Sequence, residues 1–303
     1  MTSPLPHDGR AGIDAALVKR LIAGQFPRWS GLDVTPVEVD GWDNRTYRLG
    51  ETMTVRLPTA AGYAAAIAKE TRWLPVLAPL LPLPVPPIVA QGEPAEGYPY
   101  AWSIRGWLDG AVARPERIDD LTRFAGSVAD FLRALHGIDA TDGPAAGAHS
   151  FHRGGPPAHY DGETRRALTA LHGRVDTRRA AAVWDAALNA SWQGAPVWFH
   201  GDFATNNLLV RDGELAAVID FGTCGVGDPA CDLVIAWTEF SGASRAAFRG
   251  AVDQDDAMWA RARGWALWKA LISLARPGDG DPEEAAGHHR VVDEVLADHD
   301  HAG

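Results

Sequence analysis

Apolar residues recur with helical spacing at Ile13, Leu17, Leu21 and Ile22, which predicts an amphipathic helix over Ile13 to Ala23. From Val37 to Pro58 the period drops to two, as in strands, around the turn residues Asp40-Gly41 and Gly50. Ala61 to Leu77 reads as a helix again and is expected to stop where prolines crowd in, six of them between Pro75 and Pro87. Two more strands are expected in 86–110, on either side of a connection rich in glycine and proline. Beyond Asp119 the pattern turns helical, with Leu121, Phe124, Val128, Leu132 and Leu135 on one face and Gly137 as a stop after His136. Ala146 to Gly162 reads as a loop by composition. Helices are expected over Arg178 to Ala190, through Trp268 to Ala275, and in the tail. The expected fold is α+β and bilobal: a small antiparallel-sheet N-terminal lobe, 1–105, and a larger, mainly helical C-terminal lobe, 106–303. The two join near Arg105 to Leu108, and a cleft at such a junction is a favoured place for ligands.

Composition narrows the partners. The 303 residues, 46% of them hydrophobic, suffice for a sizeable core. A formal charge of −11 argues against nucleic acid or an anionic membrane and is compatible with a cationic small molecule. Cys224 and Cys231 are too few for a disulfide framework or a four-cysteine zinc site, which points to a reducing compartment. The N-terminus lacks the charged start and apolar stretch of a signal peptide, and the apolar run near residue 80 is too proline-rich for a membrane helix. The expected location is the cytoplasm.

Candidate chemistry sits in HGDFATNNLLVRDGELAAVIDFG, His200 to Gly222. Asp212-Gly213 between two apolar runs is a strong hairpin signal. Pairing outward from it sets Val210 opposite Leu215, Leu208 opposite Ala217 and Asn207 opposite Val218. Asp220, two residues further, then shares a face with Asn207, and Asn206 points the other way. Diagonal neighbours of this kind lie about 7–8 Å apart, so an amide oxygen and a carboxylate can share one magnesium ion. Either residue alone reads better as a turn cap or a local backbone contact. Together with Asp202, five residues before Asn207, they match the parts that phosphoryl transfer needs.

These motifs identify a resemblance. His200-Gly201-Asp202, Asn207, Ile219-Asp220-Phe221-Gly222 and Gly227-Asp228-Pro229 to Asp232-Leu233 resemble the signature of the aminoglycoside phosphotransferase family, relatives of choline, homoserine and macrolide kinases. GWDNRTYRLG, VRLP, KETRWLP and WLDG extend the likeness over most of the chain. The resemblance implies a protein-kinase-like fold, ATP and Mg2+ as cofactors, Asp202 as the base that orients a substrate hydroxyl, and Asn207 and Asp220 as metal ligands. It makes His200 a brace for the loop, Asp228 a helix N-cap and Asp232 an internal support.

In the N-terminal lobe the resemblance puts Asn44 near phosphate, with the turn formed by Asp43, Asn44 and Arg45 standing where a full Gly-rich loop would be. It makes Arg56 the strand cation, paired bidentately with Glu70, in the place where lysine is usual. Arg48 faces the same way and is a rival for that role. Ser103, Arg105 and Trp107 lie in the expected hinge facing adenine, with Trp102 and Trp107 as stacking candidates.

The implied activity is an ATP- and Mg-dependent phosphotransferase acting on a hydroxyl of a small molecule, with an aminoglycoside or related antibiotic, and hence antibiotic resistance, as the leading guess. A metabolic alcohol such as an amino alcohol or sugar is the alternative acceptor, and a nucleotide-binding scaffold without transfer is the alternative of another class. Glu239, Asp253, Asp255 and Asp256 are acidic acceptor-side candidates or a plain solvated face. Trp237, Trp259, Trp265 and Trp268 are pocket walls or core.

Overall fold

The computed structural model describes Arg10, 12–37, Gly41, 43–276 and 281–302. The chain divides into two compact units: 1–109 with 217–222, and 110–216 with 223–303. A single cut at 105/106 does not anticipate the return of 217–222 to the first unit.

In the first unit, Asp14 accepts a hydrogen bond from the Leu17 N–H and caps helix α1, Ala15–Gln25, which buries Leu17, Val18, Leu21 and Ile22. Strands β1 (Val34–Pro36), β2 (Asn44–Leu49), β3 (Met53–Pro58), β4 (Ile88–Gly92) and β5 (Trp102–Gly106) form one antiparallel sheet in the order β1-β2-β3-β5-β4. Helix α2, Ala61–Leu77, ends as expected among the prolines, with Pro75 in its last turn. The expected turn at Asp40 and the strand residues around it lie outside the described residues.

Strand alternation gives this sheet two chemically different faces. Tyr47, Leu49, Val55, Leu57, Trp102 and Ile104 join Leu17, Val18, Leu21 and Ile22 in one apolar core. The intervening residues of the same three strands are Asn44, Thr46 and Arg48, then Thr54 and Arg56, then Ser103 and Arg105. Their cross-strand partners match: Thr46 faces Arg56, Arg48 faces Thr54, Arg56 faces Ser103 and Thr54 faces Arg105. The second face is therefore polar across three strands.

The second unit opens with β6 (Ala111–Val112) and α3 (Leu121–His136), whose N-cap Asp120 accepts from Thr122 and Arg123 N–H groups. Helices α4 (Asp161–Ala170) and α5 (Thr177–Asn189) follow, then strands β7 (Val197–Phe199), β8 (Leu208–Arg211), β9 (Glu214–Val218) and β10 (Gly225–Gly227). Helices α6 (Ile235–Thr238), α7 (Gly242–Val252), α8 (Asp256–Leu274) and α9 (Pro282–Ala302) complete it, with α8 packed on α5 and α9 and α3 on α7. Helix α4 starts inside the stretch read as loop, because its charged sequence offers only a thin apolar face. Among the described residues no helix is long and apolar enough to cross a membrane.

Asp212 and Gly213 both take positive φ, 52° and 77°, so the β8–β9 hairpin has the turn its sequence signals. A side chain at Gly213 would run into the Asp119 carboxylate. Trp237, Trp259, Trp265 and Trp268 are all buried and meet edge to face in two pairs, Trp237 with Trp259 and Trp265 with Trp268, which makes them core.

Candidate functional site

The loop after β7 is held from below by one carboxylate. Asp232, fully buried, accepts from the His200 N–H at 2.8 Å and from the Gly201 N–H at 2.7 Å. Its chain position follows from Asp228, which caps the turn Pro229–Val234 through the Ala230 N–H and is clamped by Arg261 at 2.7 Å. His136 Nε2 lies 3.6 Å from Asp232. Thr223 Oγ1 donates to the His200 carbonyl, and the buried His200 ring accepts the Asp202 N–H on Nδ1. Gly201 sits at φ +85°, and a Cβ there would come within 2.9 Å of the Thr223 carbonyl oxygen, so the loop tolerates only glycine. His200 and Asp232 thus act as internal supports, as expected.

The result is an exposed Asp202 on an immobilised backbone. Asn207 secures it from the side, its Nδ2 donating to the Asp202 carbonyl at 2.9 Å and to Asp202 Oδ2 at 3.2 Å. Asn207 belongs to a short 3-10 turn, Thr205–Asn207, and strand β8 begins only at Leu208. Strand alternation therefore does not reach the two asparagines, which corrects the register reasoning. They still part: Asn207 is buried and Asn206 exposed, because a 3-10 turn also sends successive side chains in different directions.

The first unit carries a separate constellation on its polar sheet face. Asp220, in the left-handed region at φ +65°, accepts from Arg56 Nη2 at 3.0 Å. Arg56 Nη1 stands 3.8 Å from Glu70 Oε1. Burial works against the Arg56 charge, and the carboxylates of Asp220 and Glu70 outweigh it, holding the guanidinium above its ordinary range.

Glu70 is not the bidentate partner of Arg56. Both its oxygens belong to Arg105, whose Nη1 and Nη2 donate at 2.8 and 2.6 Å while its Nε donates to Ser103 Oγ at 3.0 Å. Arg48, the rival cation, stacks over the Trp107 ring at 3.7 Å and binds the Glu51 carbonyl, leaving Arg56 as the strand arginine near Glu70 and Asp220.

Ser103 and Arg105 lie in β5, which is paired on both sides, and the N–H groups of Gly106 and Trp107 go to the Pro87 and Thr52 carbonyls. Backbone outside the ladders begins after Trp107, at Leu108 and Asp109. Trp102 is fully buried, donates to the Glu93 carbonyl and meets Phe26 edge-on, which makes it core and not a stacking platform. Among the described residues the buried Asn44 Oδ1 meets no hydrogen-bond donor.

The acidic acceptor-side candidates divide. Asp253 is the left-handed C-cap of α7 and Asp255 caps α8 through the Met258 N–H, with Asp256 in the first turn. Glu239 is half-buried, and burial pushes its carboxyl up while Arg290 pulls it down.

Arg105 is what sequence reasoning misplaced: the same alternation that exposes Arg56 on the polar face puts Arg105 there too, opposite a helix bearing a glutamate.

Comparison with known proteins supplies independent support. A model of the phosphotransferase enzyme family matches residues 33–265. An Escherichia coli aminoglycoside 3'-phosphotransferase is 43% identical over 42 residues, a segment that is 14% of this chain and 16% of that protein. The solved structure of the GDP complex of aminoglycoside 2'-phosphotransferase-IIIa superposes with a TM-score of 0.67 at 16% identity, covering 94% of this chain and 99% of that one. Macrolide 2'-phosphotransferase from Brachybacterium faecium, as apoenzyme, gives a TM-score of 0.59 at 22% identity, covering 93% and 97%. The fold is kinase-like.

Proposed function

The chain belongs to the phosphotransferase enzyme family, and from that premise we propose that it moves the γ-phosphoryl group of ATP to a hydroxyl of a small molecule, with an aminoglycoside or related antibiotic as the leading acceptor. The observation that carries the proposal is Asp202: an exposed carboxylate on a loop whose backbone Asp232 pins and whose side chain Asn207 orients. Such a group can take the hydroxyl proton as the oxygen attacks phosphorus, and its fixed geometry holds that oxygen in line.

Arg56 is the cation proposed for the phosphates, with Asn44 on the same polar face as the amide whose N–H groups would donate to them. The backbone from Leu108 onward is proposed to meet the base.

Magnesium is the ion proposed, on the donor chemistry of two residues taken one at a time. Asn207 spends both amide protons on Asp202, which turns its oxygen into the donor end, and Asp220 supplies a carboxylate. Both are hard oxygen ligands of the kind magnesium takes. When bound, the ion would neutralise charge on the phosphates.

Purified chain, labelled ATP, magnesium and a panel of aminoglycosides, macrolides, amino alcohols and sugars test the reading, with GTP in a parallel arm. Transfer to an antibiotic is expected, and Asp202→Asn should lower it about 10²–10⁴-fold, the usual worth of a positioned base, with ATP still bound. ATP binding with no transfer to any acceptor would sink the proposal in favour of a scaffold.

A further inference from the structure

Four charged side chains share the polar region of the first unit: Arg56 and Arg105 on adjacent strands, Glu70 on α2, and Asp220. Glu70 and Arg105 are almost wholly buried, and so is the Ser103 that braces Arg105. A buried carboxylate attracts whichever cation can desolvate with it, and two arginines are within reach of Glu70. Arg105 has taken both oxygens in a fork, at 2.8 and 2.6 Å. Arg56 is left at 3.8 Å from Glu70 and turns to Asp220 at 3.0 Å.

We propose that Arg105 is a positioning residue: it neutralises Glu70 and so keeps Arg56 directed toward Asp220 and available to phosphate. This rests on the reading of Arg56 as the nucleotide-facing cation. Without Arg105, Glu70 becomes an uncompensated buried charge whose nearest cation is Arg56, and the guanidinium is drawn off its phosphate position. Glu70 is then not the anchor of Arg56 but a competitor for it, silenced by Arg105. Lysine at 105 cannot reproduce the fork, because one ammonium does not match two carboxylate oxygens in plane.

The test is ATP affinity in the presence of magnesium, read by calorimetry on the full chain, for Arg56→Met, Arg105→Met, Arg105→Lys, and the double variant Glu70→Met with Arg105→Met. Arg56→Met should weaken ATP binding about tenfold or more, the scale of one lost charge-assisted contact. Arg105→Met should weaken it to a similar extent and Arg105→Lys by less. The double variant removes the competitor along with its neutraliser, and its affinity should recover to within about threefold of the wild type, the non-additivity expected of residues acting as one network.

A double variant that is folded by circular dichroism yet binds ATP as poorly as Arg56→Met would overturn the proposal, because Glu70 would then be holding Arg56. Should Arg105→Met fail to fold, the double variant decides alone, since replacing both charges by apolar groups relieves the buried charge. Wild-type protein that binds no ATP, or Arg56→Met that binds normally, would instead indict the nucleotide reading on which the proposal stands.

Discussion

The two units position their reactive groups in opposite ways. In the first, Arg56 is placed by other charges: Asp220 pulls it, Glu70 competes for it, and Arg105 removes the competition. In the second, Asp202 is placed by its own backbone, because Asp232 accepts the two preceding N–H groups and leaves the side chain exposed. A charge network is sensitive to every member, since removing one leaves a buried ion unpaired. A backbone anchor fixes the main chain and leaves the carboxylate exposed to a reactant, held among the described residues only by the Asn207 amide. The first arrangement suits the role proposed for Arg56, a cation that stays charged against burial, and the second suits the role proposed for Asp202, a base reached by a hydroxyl.

The sharpest way to break this contrast is Asp232→Ala. It orphans two buried N–H groups that were bonded to a charge, and a loss of about 3–5 kcal/mol in unfolding free energy is expected from two such bonds, read by denaturant titration. Transfer should collapse while ATP affinity in the surviving folded protein stays near wild type. An equal fall in ATP affinity would show that the two placements are not independent.

Next in size is Asn207→Ala, which frees the Asp202 carboxylate and removes the proposed metal oxygen. Transfer should fall about 10–100-fold, the worth of a hydrogen bond to a charged group, whereas exposed Asn206→Ala should change it by less than about twofold. Equal losses in a steady-state assay would erase the distinction drawn from their burial.

The smallest effects are expected at the helix caps. Asp14→Ala in the first unit and Asp255→Ala in the second each remove one N-terminal cap, and each should cost about 1 kcal/mol of stability with transfer per folded molecule unchanged. A change in transfer from either would mean that the helices, and not the local anchors, set the geometry.

Much of this was legible beforehand. The period-two runs specified both faces of the sheet, and Asp212-Gly213 specified the hairpin. Asp228-Pro229 announced a helical turn, which here delivers Asp232 beneath the loop. The asparagines do differ in burial, but strand alternation is not the cause, because the strand begins at Leu208, after both of them. Helix α4 was read partly as loop because charge hid its short apolar stripe.

By itself the sequence determined what is encoded within a few residues: periodicity, caps, turns, and the residue types gathered around Asp202. Only the tertiary structure decided which arginine pairs with Glu70. Arg48, Arg56 and Arg105 all lie on the same polar face, and the choice among them depends on β5 inserting beside β3, a long-range pairing. It depends also on the fork geometry that makes Arg105 the better desolvated partner. The same holds for Trp102, whose ring became core when that strand took an interior place between β3 and β4. Local pattern fixes the face a side chain takes; sheet order fixes what it meets there.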